Sequence, residues 1–90
     1  MKVLKFGAVW CSGCLVMRPR WQAIEKEFPW LKTEYHDYDQ DKKIIRKYQI
    51  VSRRLPVCVF LDKKNQEFLR KSGEISKEEL IKIIIENRDK

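Results

Sequence analysis

Residues 10–14 have the sequence Trp10-Cys11-Ser12-Gly13-Cys14, and the rest of the chain is arranged around this pentapeptide. An apolar run precedes it, and a stretch with helical spacing of apolar residues follows it. Two cysteines three positions apart can meet on one turn of helix. Their thiols can then form a disulfide across a small ring or hold a metal together. The pentapeptide therefore predicts redox or metal chemistry at a strand-to-helix junction.

The composition predicts a single domain that spans residues 1–90. The chain is 43% hydrophobic, which favours a globular fold over disorder. No stretch approaches the roughly 20 apolar residues of a membrane span, and the N-terminus lacks the pattern of a signal peptide. Three cysteines are too few, and odd in number, for a disulfide framework. We therefore expect a monomer in the cytoplasm, without membrane association.

The formal net charge of +7 is compatible with a nucleic-acid partner, an acidic partner, or only a role in solubility. Basic and acidic residues are mixed along most of the chain, and no nucleic-acid-binding motif is present. These features argue against nucleic-acid binding.

The hydrophobic pattern predicts the element order β-α-β-α-β-β-α. Strands are expected at residues 2–9, 31–38, 57–61 and 67–71, and helices at residues 11–28, 41–48 and from 76 to an end at residues 87–90 that should fray. Asp39 or Asp41 is expected to cap the second helix, and Ser76 with Glu79 forms a capping box for the third. Asn65 is the expected left-handed residue of the hairpin turn.

The chain resembles the thioredoxin family in a series of motifs that occur in the family's order. The motifs are Trp10-Cys11-x-x-Cys14, Pro19, Tyr38-Asp39, Lys47-Tyr48, Leu55-Pro56, and Gly73 ahead of Ser76-Lys77. The resemblance implies an α/β, thioredoxin-like fold: a four-stranded mixed sheet of order 2-1-3-4 with helices on both faces. It also implies a cis Leu55-Pro56 bond that faces the cysteines, with the Leu55 backbone free to pair with an extended substrate segment.

The same resemblance implies a thiol–disulfide oxidoreductase that reduces protein disulfides through Cys11 and Cys14, with no separate cofactor. Cys11 is expected to be the exposed nucleophile, because the free amides and dipole of a helix start stabilise its thiolate. Cys14, expected to be less accessible, would resolve the mixed disulfide. A thioredoxin-reductase-like or other donor would supply the electrons. The alternative is a thioredoxin-fold binding module or adaptor without turnover.

Three residues of the pentapeptide are expected to support the cysteines. Ser12 and Gly13 stand where thioredoxin has Gly-Pro, and this pair tunes the reduction potential. Trp10 is expected to shield the cysteines and to pack on their rim, although a plain core position is the alternative.

Lys5 is the main departure from the family pattern, because it stands where thioredoxins resemble one another in carrying a buried acid. One hypothesis is that Lys5 favours the thiolate and that Tyr35, on the neighbouring strand, is its hydroxyl partner. The alternative is that Lys5 extends to the surface from a strand end.

Basic residues and the third cysteine give further candidates. Arg18 and Arg20, with Arg53 and Arg54 just before Pro56, are a candidate basic rim that would favour acidic substrates; the alternative is a solvated charged face. Cys58 is expected to be a small buried hydrophobe, with a redox role as the alternative. A Cys₃His zinc site of Cys11, Cys14, Cys58 and His36 is also possible, although the spacing lacks a second tight ligand pair.

Overall fold

The computed structural model describes all 90 residues and confirms the predicted order of elements. The strands are β1 (Lys2–Gly7), β2 (Lys32–Asp37), β3 (Val57–Leu61) and β4 (Glu67–Ser72), and the helices are α1 (Ser12–Glu27), α2 (Lys42–Lys47) and α3 (Lys77–Glu86). A short 3₁₀ turn at Ser52–Arg54, which the hydrophobic pattern did not predict, lies in the loop before Pro56.

The four strands form one mixed sheet in the order β2-β1-β3-β4. β1 pairs in parallel with β2 and antiparallel with β3, and β3 pairs antiparallel with β4. The predicted order 2-1-3-4 is therefore confirmed. The parallel pair needs a crossover connection, and α1 supplies it, so the start of α1 lies beside the end of β1.

Each face of the sheet carries its own hydrophobic core. Alternate residues of β3 enter opposite cores, Cys58 and Phe60 on one face and Val57, Val59 and Leu61 on the other. On the first face they pack with apolar residues of α1 and α3, and on the second with Ile45 and Ile50 near α2. Because helices cover both faces, all five residues of β3 are buried, which is why this strand is continuously apolar.

β1 is shorter than predicted, because it ends at Gly7 and not at Val9. Gly7 is the last residue that pairs with β2, and Phe6 is the last that pairs with β3. Without a partner strand, Val9 is exposed to solvent. The amide of Cys11 donates to the Ala8 carbonyl at 3.2 Å, which closes the turn into α1.

The cap of α2 differs from the prediction. Asp41 is the N-cap residue, but its side chain makes no hydrogen bond to the amides of α2. Its Oδ2 instead accepts from the amide of Asp37 at 2.7 Å, and the Asp37 carboxylate accepts from the amides of Asp39 and Gln40. The acidic residues therefore stabilise the turn between β2 and α2 rather than the helix start.

The other cap and turn predictions are mostly confirmed. The amide of Glu79 donates to Ser76 Oγ at 3.1 Å at the start of α3. The Glu79 carboxylate, however, forms an ion pair with Lys71 at 3.4 Å rather than completing the capping box. Asn65 has the expected positive φ of 61°, and Gln49, at φ 54°, is a second left-handed residue that the pattern did not reveal.

Candidate active site

The two cysteines of the pentapeptide form a disulfide at the start of α1, with their Cα atoms 5.3 Å apart. Cys11 is the N-cap residue of this helix, and its Sγ accepts a hydrogen bond from the Cys14 amide at 3.2 Å. Free amides and the helix dipole favour negative charge at this position. Once the disulfide is reduced, the same groups stabilise a thiolate on Cys11.

The accessibility of the two cysteines is the reverse of the expected order. Cys11 lies inside the tight turn between β1 and α1 and is only 7% exposed, whereas Cys14 is half-buried. Cys14 has the greater accessibility because it borders a cavity between α1 and the sheet. Cys11 is therefore distinguished from Cys14 by its position at the helix terminus, and not by solvent exposure.

Pro56 lies directly against the start of α1. The Leu55-Pro56 bond is cis, as the family resemblance implied. A Cβ added at Gly13 would lie 2.9 Å from Cδ of Pro56, closer than real Cβ atoms come to a neighbour. Gly13 thus permits a close approach between the helix and the proline ring. Ser12, the first residue of α1, is exposed to solvent.

The backbone of Leu55 is only partly available to an extended substrate. Its amide donates to the Ser52 carbonyl at 3.3 Å within the 3₁₀ turn, so the expectation of a fully free backbone is wrong. The Leu55 carbonyl is the group that remains for pairing with a substrate strand. The 3₁₀ turn occupies the amide because it tightens the loop just before Pro56.

A cavity of about 270 Å³ opens beside Cys14, between α1 and the sheet. Polar and ionisable side chains line it together with apolar ones; they include Lys5, Arg18, Gln22, Glu25, Tyr35 and Cys58. The surroundings of Cys14 are therefore set by residues of α1, β1, β2 and β3.

Lys5 lies on the face of β1 that α1 covers, and its partner is Glu25, not Tyr35. Lys5 Nζ is 2.5 Å from Glu25 Oε2, and the same oxygen accepts from Thr33 Oγ1 at 2.9 Å. The ammonium also lies 5.9 Å from the ring centroid of Trp21. The predicted pairing with Tyr35 is wrong because Glu25 brings a full negative charge to this face. The alternative of a lysine that extends to solvent from a strand end is also wrong, since the ammonium is paired beneath α1.

Glu25 was not among the predicted site residues, although the sequence carries a signal for it. Glu25 follows Trp21 by one helical turn and therefore borders the buried stripe of α1. A lysine in the middle of a covered strand needs a counter-charge from the element that covers it. An acidic residue at the edge of the apolar stripe of α1 is the signal that points to Glu25.

Tyr35 extends over Gly7 towards Cys14. A Cβ added at Gly7 would lie 3.0 Å from Cys14 Sγ and 3.1 Å from the Tyr35 hydroxyl oxygen. Both atoms therefore border one small space above Gly7. Lys5 and Tyr35 are register partners in the parallel pair β1–β2 and lie on the same face of the sheet. Their side chains lie near different groups, because the Lys5 ammonium bonds to Glu25 and the Tyr35 hydroxyl borders the space beside Cys14.

Trp10 lies outside the core, with 54% of the residue exposed. Its indole Nε1 donates to Asp39 Oδ2 at 2.7 Å, and its ring meets the edge of Tyr38 with centroids 6.2 Å apart. These contacts join the turn before the cysteines to the turn after β2. They exclude the alternative of a core position for Trp10.

The four arginines of the predicted basic rim occupy different places. Arg18 lines the cavity beside Cys14. Arg20 donates to the Ile75 carbonyl at 2.7 Å and so joins α1 to the segment before α3. Arg53 and Arg54 are exposed on the 3₁₀ turn, and Arg54 lines a separate groove with Arg70. Arg18 is therefore the arginine of the four that directly borders the cavity.

The third cysteine and the histidine belong to the body of the fold. Cys58 is a free, buried thiol in β3, and burial raises its pKa to about 12. His36 stacks on Phe6 with ring centroids 5.7 Å apart and lies 3.2 Å from Glu34. No group of three or more His, Cys, Asp or Glu side chains is arranged to hold a metal ion, so the proposed zinc ligands are not brought together.

Comparisons with known proteins agree with this geometry. The model of the thioredoxin family matches residues 1–86. The fold is similar to that of thioredoxin from Fasciola hepatica, with 30% sequence identity, a TM-score of 0.85, and coverage of 96% of this chain and 79% of that one. Thioredoxin NaTrxh from Nicotiana alata is also similar, at 26% identity, a TM-score of 0.85, and coverage of 96% and 71%.

A third similar structure is thioredoxin-2 of the malaria parasite, described as a component of that parasite's protein secretion machinery. It is 26% identical, with a TM-score of 0.86, and the match covers 94% of this chain and 81% of that one. No curated protein matches the chain significantly by sequence.

The thioredoxin-like fold and the disulfide at the start of α1 define a thiol–disulfide oxidoreductase. With a family match over residues 1–86, the chain belongs to the thioredoxin family.

Proposed function

We propose that this protein reduces protein disulfides, with Cys11 as the nucleophile and Cys14 as the resolving thiol. The observation that supports this most directly is the position of Cys11 at the N-cap of α1, where its Sγ accepts from the Cys14 amide at 3.2 Å. A thiolate at a helix start is stabilised by such donors, and the thiolate is the attacking species.

The reaction has two exchange steps. The Cys11 thiolate attacks one sulfur of the substrate disulfide, forming a mixed disulfide and releasing the other substrate sulfur as a thiolate. Cys14, after losing its proton to solvent, attacks Cys11 Sγ and releases the second substrate sulfur. Two electrons pass to the substrate, and the pair becomes the Cys11–Cys14 disulfide. A thioredoxin-reductase-like or other dithiol donor returns the electrons, and no separate cofactor takes part.

The surface around the pair suggests how a protein substrate would bind. The Leu55 carbonyl, next to Pro56, can accept one hydrogen bond from an extended segment. Arg18 at the cavity, together with the net charge of +7, favours acidic substrates. Arg53 and Arg54, on the turn just before Leu55, extend the same preference to the flanking residues of the substrate.

The protein partners and location follow from this chemistry. A disulfide reductase works in a reducing compartment, and we propose the cytoplasm and a monomeric protein that binds neither nucleic acid nor membranes. None of the helices has the length and apolar character needed to cross a bilayer.

The activity can be tested by reduction of insulin disulfides with dithiothreitol as the electron source. Wild-type protein should accelerate the reaction, and Cys11→Ser should abolish the acceleration. Equal rates for the two proteins would overturn the proposal and indicate a binding module or adaptor.

The order of attack can be tested by trapping. Cys14→Ser retains the nucleophile but cannot resolve, so it should accumulate a mixed disulfide with the substrate through Cys11. The matched variant Cys11→Ser should accumulate none. The opposite pattern would assign the attack to Cys14, the more accessible cysteine.

A further inference from the structure

The space above Gly7 brings together a hydroxyl and the resolving sulfur. Cys14 Sγ and the Tyr35 hydroxyl oxygen would lie 3.0 and 3.1 Å from a Cβ placed on Gly7. Any side chain at position 7 would therefore separate the two atoms or displace both. With glycine there, no protein atom of residue 7 prevents the hydroxyl from reaching the sulfur.

The hydroxyl is also not bonded to the lysine beside it in the sheet. Lys5 is the register partner of Tyr35, but its ammonium bonds to Glu25 instead. Burial, with a contribution from Asp37, raises the pKa of Tyr35 above its usual value, while Arg18 acts in the opposite direction. The phenol therefore keeps its proton at neutral pH and can serve as a hydrogen-bond donor.

The charged and titratable groups that face this space come from several elements. Lys5 of β1, Arg18 and Glu25 of α1, Tyr35 of β2 and Cys58 of β3 line the adjoining cavity, and the charges of Asp37 and Asp41 act on Tyr35. Lys5 and Glu25 neutralise each other, and the buried Cys58 thiol is uncharged below its raised pKa of about 12. The Tyr35 hydroxyl is the uncharged donor among them that shares the space above Gly7 with Cys14.

We propose that the Tyr35 hydroxyl donates a hydrogen bond to the Cys14 thiolate of the reduced protein and is a catalytic group of the resolving step. The inference rests on the proposed function, in which Cys14 must ionise before it attacks Cys11. Tyr35 keeps its own proton throughout, and the proton of the Cys14 thiol goes to solvent. The hydroxyl lowers the pKa of the thiol and increases the fraction that is ready to attack.

The size of the effect follows from general thiol chemistry. A hydrogen bond to a charged group in a half-exposed site should shift the pKa of the thiol by about one unit, or tenfold in thiolate fraction at a pH below the pKa. The intrinsic nucleophilicity of the Cys14 thiolate falls by about threefold when its pKa is lowered by this amount, because the Brønsted slope is about 0.4–0.5. Loss of the hydroxyl should therefore slow the resolving step by about threefold.

The decisive experiment measures the ionisation of Cys14 directly. In a Cys11→Ser background, the rate of alkylation of Cys14 by iodoacetamide is followed over roughly pH 6 to 11, with mass spectrometry to locate the modified residue. Adding Tyr35→Phe, which keeps the ring, should raise the pKa of Cys14 by about one unit. An unchanged pKa would overturn the proposal.

Tyr48→Phe in the same background is the matched control, because Tyr48 packs against the core on the opposite face of the sheet. It should leave the alkylation profile unchanged, and an equal shift in both variants would also overturn the proposal. This measurement needs no substrate, so its failure is distinguishable from failure of the proposed function, which the insulin assay tests. As a second measurement, the mixed disulfide should resolve about threefold more slowly in Tyr35→Phe than in wild type.

Discussion

Lys5 of β1 and Glu25 of α1 form an ion pair beneath the first helix, with Nζ and Oε2 2.5 Å apart. Their side chains are 20% and 32% exposed, so both charges are partly removed from water. Thr33 adds a hydrogen bond to the same carboxylate oxygen. At the cavity that Cys14 borders, β1 and α1 thus contact each other through an ion pair instead of through apolar side chains.

Breaking this pair should destabilise the protein more than removing it completely. Lys5→Met leaves the Glu25 carboxylate partly buried without its cation, and the free energy of unfolding should fall by about 1–2 kcal/mol, between the values for exposed and buried pairs. Lys5→Met/Glu25→Gln should be more stable than Lys5→Met. Urea denaturation checks this, and strictly additive losses would contradict the coupling.

Removing Lys5 alone and removing Glu25 alone should shift the pKa of the Cys14 thiol in opposite directions. Glu25→Gln leaves an unpaired ammonium near Cys14, which should lower the pKa of that thiol, whereas Lys5→Met leaves an unpaired carboxylate and should raise it. Alkylation profiles of Cys14 in the Cys11→Ser background measure both shifts. The pKa of Cys11 is measured in protein that is otherwise unchanged. If Lys5→Met leaves the pKa of Cys14 and the pKa of Cys11 as they are in the parent proteins, Lys5 does not favour the thiolate.

Gly13→Ala should destabilise the start of α1. Ala is normally about 1 kcal/mol more favourable than Gly in a helix, but here its Cβ would lie 2.9 Å from the Pro56 ring. Overpacking typically costs about 1–3 kcal/mol, so we expect a net loss of about 1 kcal/mol and slower insulin reduction. Ser12→Ala, at the exposed neighbouring position, is the control for stability and should change the free energy of unfolding little. A Gly13→Ala protein that is more stable than wild type would contradict the close approach to Pro56.

The buried thiol of Cys58 should make the protein less stable at high pH. Burial raises the pKa of Cys58 from 9.0 to about 12, so above pH 9 the unfolded chain loses this proton more readily than the folded protein. The stabilising contribution is complete below pH 9 and decreases as the pH rises towards 12. Cys58→Ala should show a smaller decrease in the free energy of unfolding over this range. Parallel pH profiles for the two proteins would exclude a contribution from Cys58.

Ser76→Ala should remove the cap of α3. The Ser76 hydroxyl accepts from the Glu79 amide at 3.1 Å, and loss of such a cap costs about 1 kcal/mol. Ser76→Asp supplies another acceptor at the positive end of the helix and should retain wild-type stability. Thermal denaturation of both variants measures the difference, and a Ser76→Ala protein as stable as wild type would mean that the cap bond contributes nothing.

Local sequence patterns predicted most of the fold. The continuous apolar run 57–61 identified β3, the helical spacing of Met17, Trp21 and Ile24 identified the buried side of α1, and Ser76 marked the start of α3. Each of these features is contained within one short segment of the chain. The motif resemblance then predicted the sheet order, the cis Leu55-Pro56 bond and the pairing of Cys11 with Cys14.

The same patterns could not predict which side chains meet between elements. The Lys5–Glu25 pair joins residues 20 positions apart, and the Tyr35 hydroxyl and Cys14 Sγ border one space only because Gly7, on a third element, has no side chain. The end of β1 likewise depends on where its two neighbouring strands stop.

The sequence by itself thus determined the elements, their order and the cysteine pair at a helix start, because periodicity, capping and motif spacing are local properties of the chain. Only the tertiary structure decided that Cys14 is more accessible than Cys11, that Lys5 pairs with Glu25, and that Tyr35 shares the space of Cys14. Those relationships depend on strand register and on how closely α1 approaches the sheet, which are set by packing between distant segments.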